Sequence, residues 1–231
     1  MKKKIAIVGC LHGDELIGKY VLDELTKSNN LNIRFFLGNE KAIKQNKRFI
    51  ETDLNRCFPG KKDGNHEEKL AHNLTKKLCK YDLVIDIHST TAKTDPFIII
   101  TKQNKKIIDF VKKIPIKNTV FMRNSIASGK ALIDHVQCGI SLEFNKDFDP
   151  IQVKNTIIDT INNIYKNKEQ TKFSKQESFE VYDIIKKSDV KYPEINNFRL
   201  TKLDNDSFYP ILFGTDAYKD ILCLKARRLW W

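Results

Sequence analysis

Lys4-Ile5-Ala6-Ile7-Val8-Gly9-Cys10-Leu11-His12-Gly13-Asp14-Glu15 is the stretch from which the fold is read. Its first part is a short, β-branched apolar run closed by a glycine, the pattern of a strand buried on both faces. Leu16, Tyr20, Val21 and Leu25 follow near helical spacing, so residues 15–25 predict a helix opened by Glu15. A buried strand feeding a helix is the repeating unit of an α/β sheet. Between the two lies His12-x-x-Glu15, at the strand exit where open α/β sheets bind their ligands.

The alternation continues along the chain. Residues 32–37, 81–87, 97–101, 119–122 and 140–144 read as strands, and 67–78, 104–113 and 152–165 as helices. Residues 41–59 show no clean period and run into Pro59-Gly60, the mark of a long functional loop. This pattern predicts an α/β fold, a mixed central sheet with helices on both faces. At residues 166–175 the composition turns polar, as in a linker. Short strand-like pieces at 179–185, 198–202, 211–213 and 221–224 then predict a small β-rich C-terminal domain, giving domains 1–168 and 169–231.

The 231 residues are 41% hydrophobic and 30% charged, an ordinary globular balance. Five cysteines, four of them in or beside apolar runs, read as reduced, buried thiols of a cytoplasmic protein. No window approaches the ~18 apolar residues of a membrane span. The apolar run after Lys2-Lys3-Lys4 is also shorter than the ~7–15 residues of a secretory core. The net charge of +12 is spread over the whole length and mixed with 29 acids. A Lys-rich surface, or a basic pocket for an anionic small molecule, is expected ahead of a nucleic-acid module.

His12 and Glu15 gain a third partner in Asp86-Ile87-His88-Ser89-Thr90, where a strand delivers His88. Two histidines and one carboxylate leave a position open for water, the ligand set of hydrolytic zinc. A histidine taken singly is more often a hydrogen-bonded structural residue. Asp86, two residues before His88, shares its face of the strand and would orient the imidazole or the active-site water. Glu143 interrupts Ile140-Ser141-Leu142-Glu143-Phe144. Either alternation turns it to solvent, or it is a general base with a pKa raised by partial desolvation. Arg48 and Arg56, with Asn55, would clamp carboxylates and polarise a carbonyl, or else pair with Glu51 and Asp53 at the surface. His66 and His72 are six apart, where a shared metal on a helix needs four, and read as solvated. His135 reads as a core-edge or pocket residue.

In this order, the segments H-G-D-E (12–15), N-K-R-F-I-E-T-D-L-N-R-C-F-P-G (46–60), D-I-H-S-T (86–90) and G-I-S-L-E-F (139–144) resemble the succinylglutamate desuccinylase/aspartoacylase family. That family belongs to the carboxypeptidase A-like zinc hydrolases, and the D-L-N-R-x-F-P-G core is the most specific piece. The resemblance implies a zinc-carboxypeptidase-like fold and one Zn2+ per chain on His12, Glu15 and His88. It implies Arg48 as the group that polarises the scissile carbonyl, and Asn55 with Arg56 as the grip on a substrate carboxylate. Glu143 would activate the zinc-bound water, and Tyr218, in a segment similar to the family's closing one, would reach the pocket.

The expected activity is hydrolysis of the amide bond of an N-acyl amino acid, an anionic small molecule. The alternatives are a metallocarboxypeptidase acting on short peptides and a non-enzymatic basic nucleic-acid-binding module. No membrane partner is expected, and a homo-oligomer remains open. Aspartoacylases carry a further arginine shortly before the catalytic glutamate. Gly129-Lys130-Ala131-Leu132-Ile133-Asp134-His135 has none, with Lys130 or His135 as the nearest substitutes.

Overall fold

β1 (Ile5–Gly9) is buried along its whole length because apolar layers lie on both of its faces. Ile5 and Ile7 point to one layer and Ala6 and Val8 to the other, the two-residue period of a strand. The computed structural model describes residues 3–27, 33–123, 128–173, 175–189, 195–203 and 206–230. Asn32, expected in the second strand, lies outside them.

In chain order the further elements are α1 (Ile17–Thr26), β2 (Ile33–Leu37), α2 (Glu40–Lys44), α3 (His66–Leu78), β3 (Leu83–Thr90), β4 (Phe97–Ile100), α4 (Lys105–Val111), β5 (Asn118–Met122), β6 (Gly139–Asn145) and α5 (Pro150–Lys166). β7 (Glu177–Lys186), β8 (Thr201–Leu203), β9 (Asp206–Ile211) and β10 (Ile221–Leu229) follow. Among the described residues, the ten strands join one mixed sheet in the order β2-β1-β3-β6-β4-β5-β7-β10-β9-β8. β2, β1, β3 and β6 are parallel, β4 runs against β6, and β4, β5 and β7 are parallel again. β10, β9 and β8 then alternate in direction.

Helices cover both faces. Residues of α1, α4 and α5 pack on the layer that holds Ile5, Ile85 and Leu142, while α3 covers the layer that holds Ala6 and Val84. The strand period then decides where the chemistry lies. On β6, Ile140, Leu142 and Phe144 enter the first layer, so Ser141 and Glu143 face the other side. On β3, Leu83, Ile85 and Ile87 do the same, leaving Asp86 and His88 beside Ser141 and Glu143.

Several element limits differ from the sequence reading. Glu15 does not open α1; it sits in the turn before it, and the helix starts at Ile17 without a side-chain cap. His88 lies inside β3 rather than after it. The stretch 41–59 takes in most of α2 and a 3-10 turn at Leu54–Arg56, both too short to leave a periodic pattern. Of the piece expected at 211–213, only Ile211 is strand, the last residue of β9; Leu212, with a left-handed φ of 60°, and Phe213 lie in the turn that follows. Of the cysteines, Cys10, Cys138 and Cys223 are buried, but Cys57 is half-buried and Cys79 exposed. No helix among the described residues is long and apolar enough to cross a membrane.

Candidate active site

The turn after β1 is held in an unusual shape. Cys10 takes a left-handed φ of 58°, which a side chain disfavours, and its thiol donates to the Glu15 carbonyl at 3.2 Å. Gly13 passes so close to α2 that a Cβ would stand 2.3 Å from the Ala42 carbonyl carbon. Its N–H donates to the Arg48 carbonyl at 3.1 Å. This turn brings His12 and Glu15 inward, both buried, to meet buried His88 on β3.

One ligand atom from each of the three lies within 4.8 Å of the others. His12 Nδ1 is 2.7 Å from Glu15 Oε1, and His88 Nδ1 is 3.0 Å from Glu15 Oε2. Each imidazole has its other nitrogen on a carboxylate: His12 Nε2 with Asp53 Oδ1 at 2.9 Å, and His88 Nε2 with Asp86 Oδ2 at 2.6 Å. A ring that donates Nε2–H to a carboxylate presents the lone pair of Nδ1, the arrangement that orients metal-ligating histidines. The donor set therefore fits a metal ion.

The charges obey the same logic. Burial disfavours charged imidazoles, but the Glu15 charge and the bond to Asp53 raise His12, and Asp86 and Glu15 raise His88 well above its usual value. Burial would likewise raise Glu15 and Asp53, yet the histidines hold both carboxyls far below the ordinary range.

A cavity of about 440 Å³ opens over this cluster, lined among others by Arg48, Asn55, Arg56, Glu143 and Tyr218. Glu143 is the register partner of His88 on the adjacent strand. Alternation does turn it away from the apolar layer, but into the cavity instead of bulk solvent. Burial pushes its carboxyl up to about 7, against the pull of the His88 charge. Arg48 donates to Glu15 Oε1 at 3.2 Å and to Asp53 Oδ2 at 3.3 Å, so the pairing with Asp53 belongs to the site and not to the open surface. Asn55 accepts the Leu132 N–H at 2.9 Å and sets Nδ2 3.4 Å from His88 Nε2. Arg56 donates to the Asn55 carbonyl at 2.9 Å.

Tyr218 arrives from the far end of the chain. Thr90 Oγ1 donates to Thr215 Oγ1 at 3.3 Å, and the Asp216 N–H to Thr91 Oγ1 at 2.7 Å, fastening its loop to the end of β3. Burial raises the Tyr218 hydroxyl.

His66 and His72 are half-buried instead of solvated, and His66 Nε2 meets Asn39 Oδ1 at 3.2 Å. Lys130 lines a different hollow, and His135 Nε2 bonds the Gly129 carbonyl at 3.0 Å. Ala131 and Ile133 are the residues of that segment that line the cavity. Sequence reasoning missed Asp53 as the anchor of His12, a partner 41 residues away that no local pattern signals.

A family model described as the succinylglutamate desuccinylase/aspartoacylase catalytic domain matches residues 1–166. The chain belongs to this family. A "Probable aspartoacylase" of Acaryochloris marina is 36% identical over 118 residues, 44% of this chain and 40% of that protein. The zebrafish (Danio rerio) N-acyl-aromatic-L-amino acid amidohydrolase (carboxylate-forming) B is 28% identical over 109 residues, 38% of this chain and 35% of that protein. The matched segments thus span less than half the length of these family members. The fold extends further than the sequence likeness. Murine aminoacylase 3 superposes with a TM-score of 0.77 at 16% identity, over 98% of this chain and 95% of that one.

Proposed function

We propose that the chain is a zinc-dependent hydrolase that removes the acyl group from an N-acyl amino acid. One observation carries the reading: two imidazole Nδ1 atoms and a carboxylate converge beneath a cavity that Glu143, Arg48 and Arg56 also face. A single zinc ion on His12, Glu15 and His88 would supply Lewis acidity and lower the pKa of water. Glu143 takes a proton from the attacking water and returns it to the leaving amine, a role suited to a carboxyl near pH 7. Arg48 polarises the carbonyl oxygen, Asn55 and Arg56 hold the substrate carboxylate, and Tyr218 closes the cavity from above.

Part of the lining is apolar and would suit an uncharged portion of the substrate. Ile99, Met122, Ala131, Ile133 and Leu212 line the cavity, and Lys130 and His135 are not among its lining residues. An acidic side chain held against these residues would lose hydration, unless it reached Lys146, which lines the same cavity. We assign residues 169–231 to a second unit that completes the cavity through the loop carrying Thr215 and Tyr218. That loop favours a small substrate over a peptide. The five free cysteines fit a cytoplasmic setting.

A panel of N-acetyl and N-succinyl amino acids, with short peptides alongside, tests the reading. At least one N-acyl amino acid should be hydrolysed, with loss of turnover to a chelator and recovery with zinc. The ranking of uncharged against acidic side chains reads whether the apolar lining or Lys146 sets the preference. Peptide cleavage without deacylation would transfer the assignment to a carboxypeptidase.

A further inference from the structure

Glu67 is a fully buried carboxylate near the start of α3, outside the catalytic cluster. Oε1 accepts the Ile50 N–H at 2.8 Å and Asn39 Nδ2 at 2.9 Å. Oε2 accepts the N–H groups of Glu51 at 3.2 Å and Thr52 at 3.3 Å. Three consecutive main-chain amides of a distant loop therefore converge on one carboxylate. Burial would raise its pKa, but those bonds hold it below the usual range, so the acceptor is charged and its hydrogen bonds are of the strong kind.

A role in capping α3 does not explain this arrangement. Asn65 already caps that helix, and Glu68 closes the reciprocal capping box. The three amides lie between Arg48 and Asp53, in a stretch with no strand or helix of its own to hold it. Asn39 extends the anchor: it is buried, accepts the Ala42 N–H at 3.2 Å, and donates its own N–H to the Cys10 carbonyl at 2.9 Å. One buried acid thus ties the arginine loop to the turn that carries His12.

We infer that Glu67 is a positioning residue, whose buried carboxylate pins residues 50–52 so that Arg48, Asn55 and Arg56 meet the His12–Glu15–His88 centre. The inference rests on the reading of those three residues as substrate-facing groups. Releasing the loop should disturb both carbonyl polarisation and carboxylate grip, so kcat and KM move together.

The test compares zinc-loaded wild type with Glu67→Ala and Glu67→Gln by hydrogen exchange, zinc content and kinetics. Exchange at the amides of Ile50, Glu51 and Thr52 should rise about tenfold or more while α3 and the sheet stay protected. Zinc content should be unchanged, and kcat/KM should fall about ten- to hundredfold in Glu67→Ala. Glu67→Gln should fall between, because it keeps one acceptor oxygen but turns an NH2 toward N–H donors. Unchanged exchange at 50–52 with kinetics within about twofold would overturn the inference. So would loss of zinc or faster exchange throughout α3 in both variants, which would make Glu67 a scaffold residue. If the wild type hydrolyses no N-acyl amino acid, the proposed function fails, while the exchange comparison still decides what Glu67 does.

Discussion

His12 and His88 each turn Nδ1 toward Glu15 and keep Nε2 on a carboxylate of their own, so a metal held there would compete with protons for the same atoms. The carboxylates raise the pKa of both imidazoles, so zinc binding there would have to displace protons. Calorimetric titration with zinc in two buffers of different ionisation enthalpy should therefore show proton release at pH 7, and affinity should weaken as pH falls. Zero release would contradict the arrangement. Asp86→Asn should cost about 10–100-fold in metal affinity while leaving the ligands intact, read by competition with a chelator. Glu143→Gln should keep zinc yet lose about 10²–10⁴ in turnover.

Glu143 also leaves a mark on stability. Its carboxyl ionises near 4.5 when unfolded and near 7 in the folded chain, so the folded state binds more protons between those values. Stability then falls as pH rises through that window. Melting of metal-free wild type and Glu143→Gln should show the variant gaining relative Tm from pH 4.5 to 7, with a constant difference outside it.

At the scale of elements, the strands were legible where burial is complete. β1 and β6 have continuous or regularly broken apolar runs, and their limits fall within a residue or so of the expected ones. The outlier Glu143 was legible too, because a carboxylate among Ile140, Leu142 and Phe144 violates the pattern of its own strand. Asp53 and Glu67 were not legible. Their partners are backbone amides and side chains tens of residues away or on an aperiodic loop, and no local period encodes such pairing. The turn of residues 10–15 makes its own prediction. Gly13→Ala forces a Cβ into the Ala42 backbone, and overpacking of this kind costs about 1–3 kcal/mol. Thermal melting should show the loss, and zinc affinity should fall with it because His12 and Glu15 flank the clash.

Across the whole molecule, the α/β class was readable from alternating periods, but the continuity of the sheet was not. β7 pairs with β5 in parallel, and Phe179, Val181, Ile211 and Leu224 share one apolar cluster with Phe97, Val120 and Met122. Such pairing joins segments far apart in sequence, and the short C-terminal strands carry no signal of their neighbour. Removing residues 169–231 should strip β5 of one of its two neighbours, β7, leave an apolar edge, and give an aggregating, inactive protein. Soluble, active 1–168 in size-exclusion and turnover assays would contradict this.

The register of β3 against β6 carries one more consequence. His88 stands beside Glu143 only because Ile87 stands beside Leu142. A slip of one residue would send a leucine into the cavity and a carboxylate into the apolar layer. A molecule that mispairs these strands therefore cannot persist as a stable but inactive impostor. The core proofreads this pairing, and any population that melts cooperatively should hold the residue at position 143 in register beside His88.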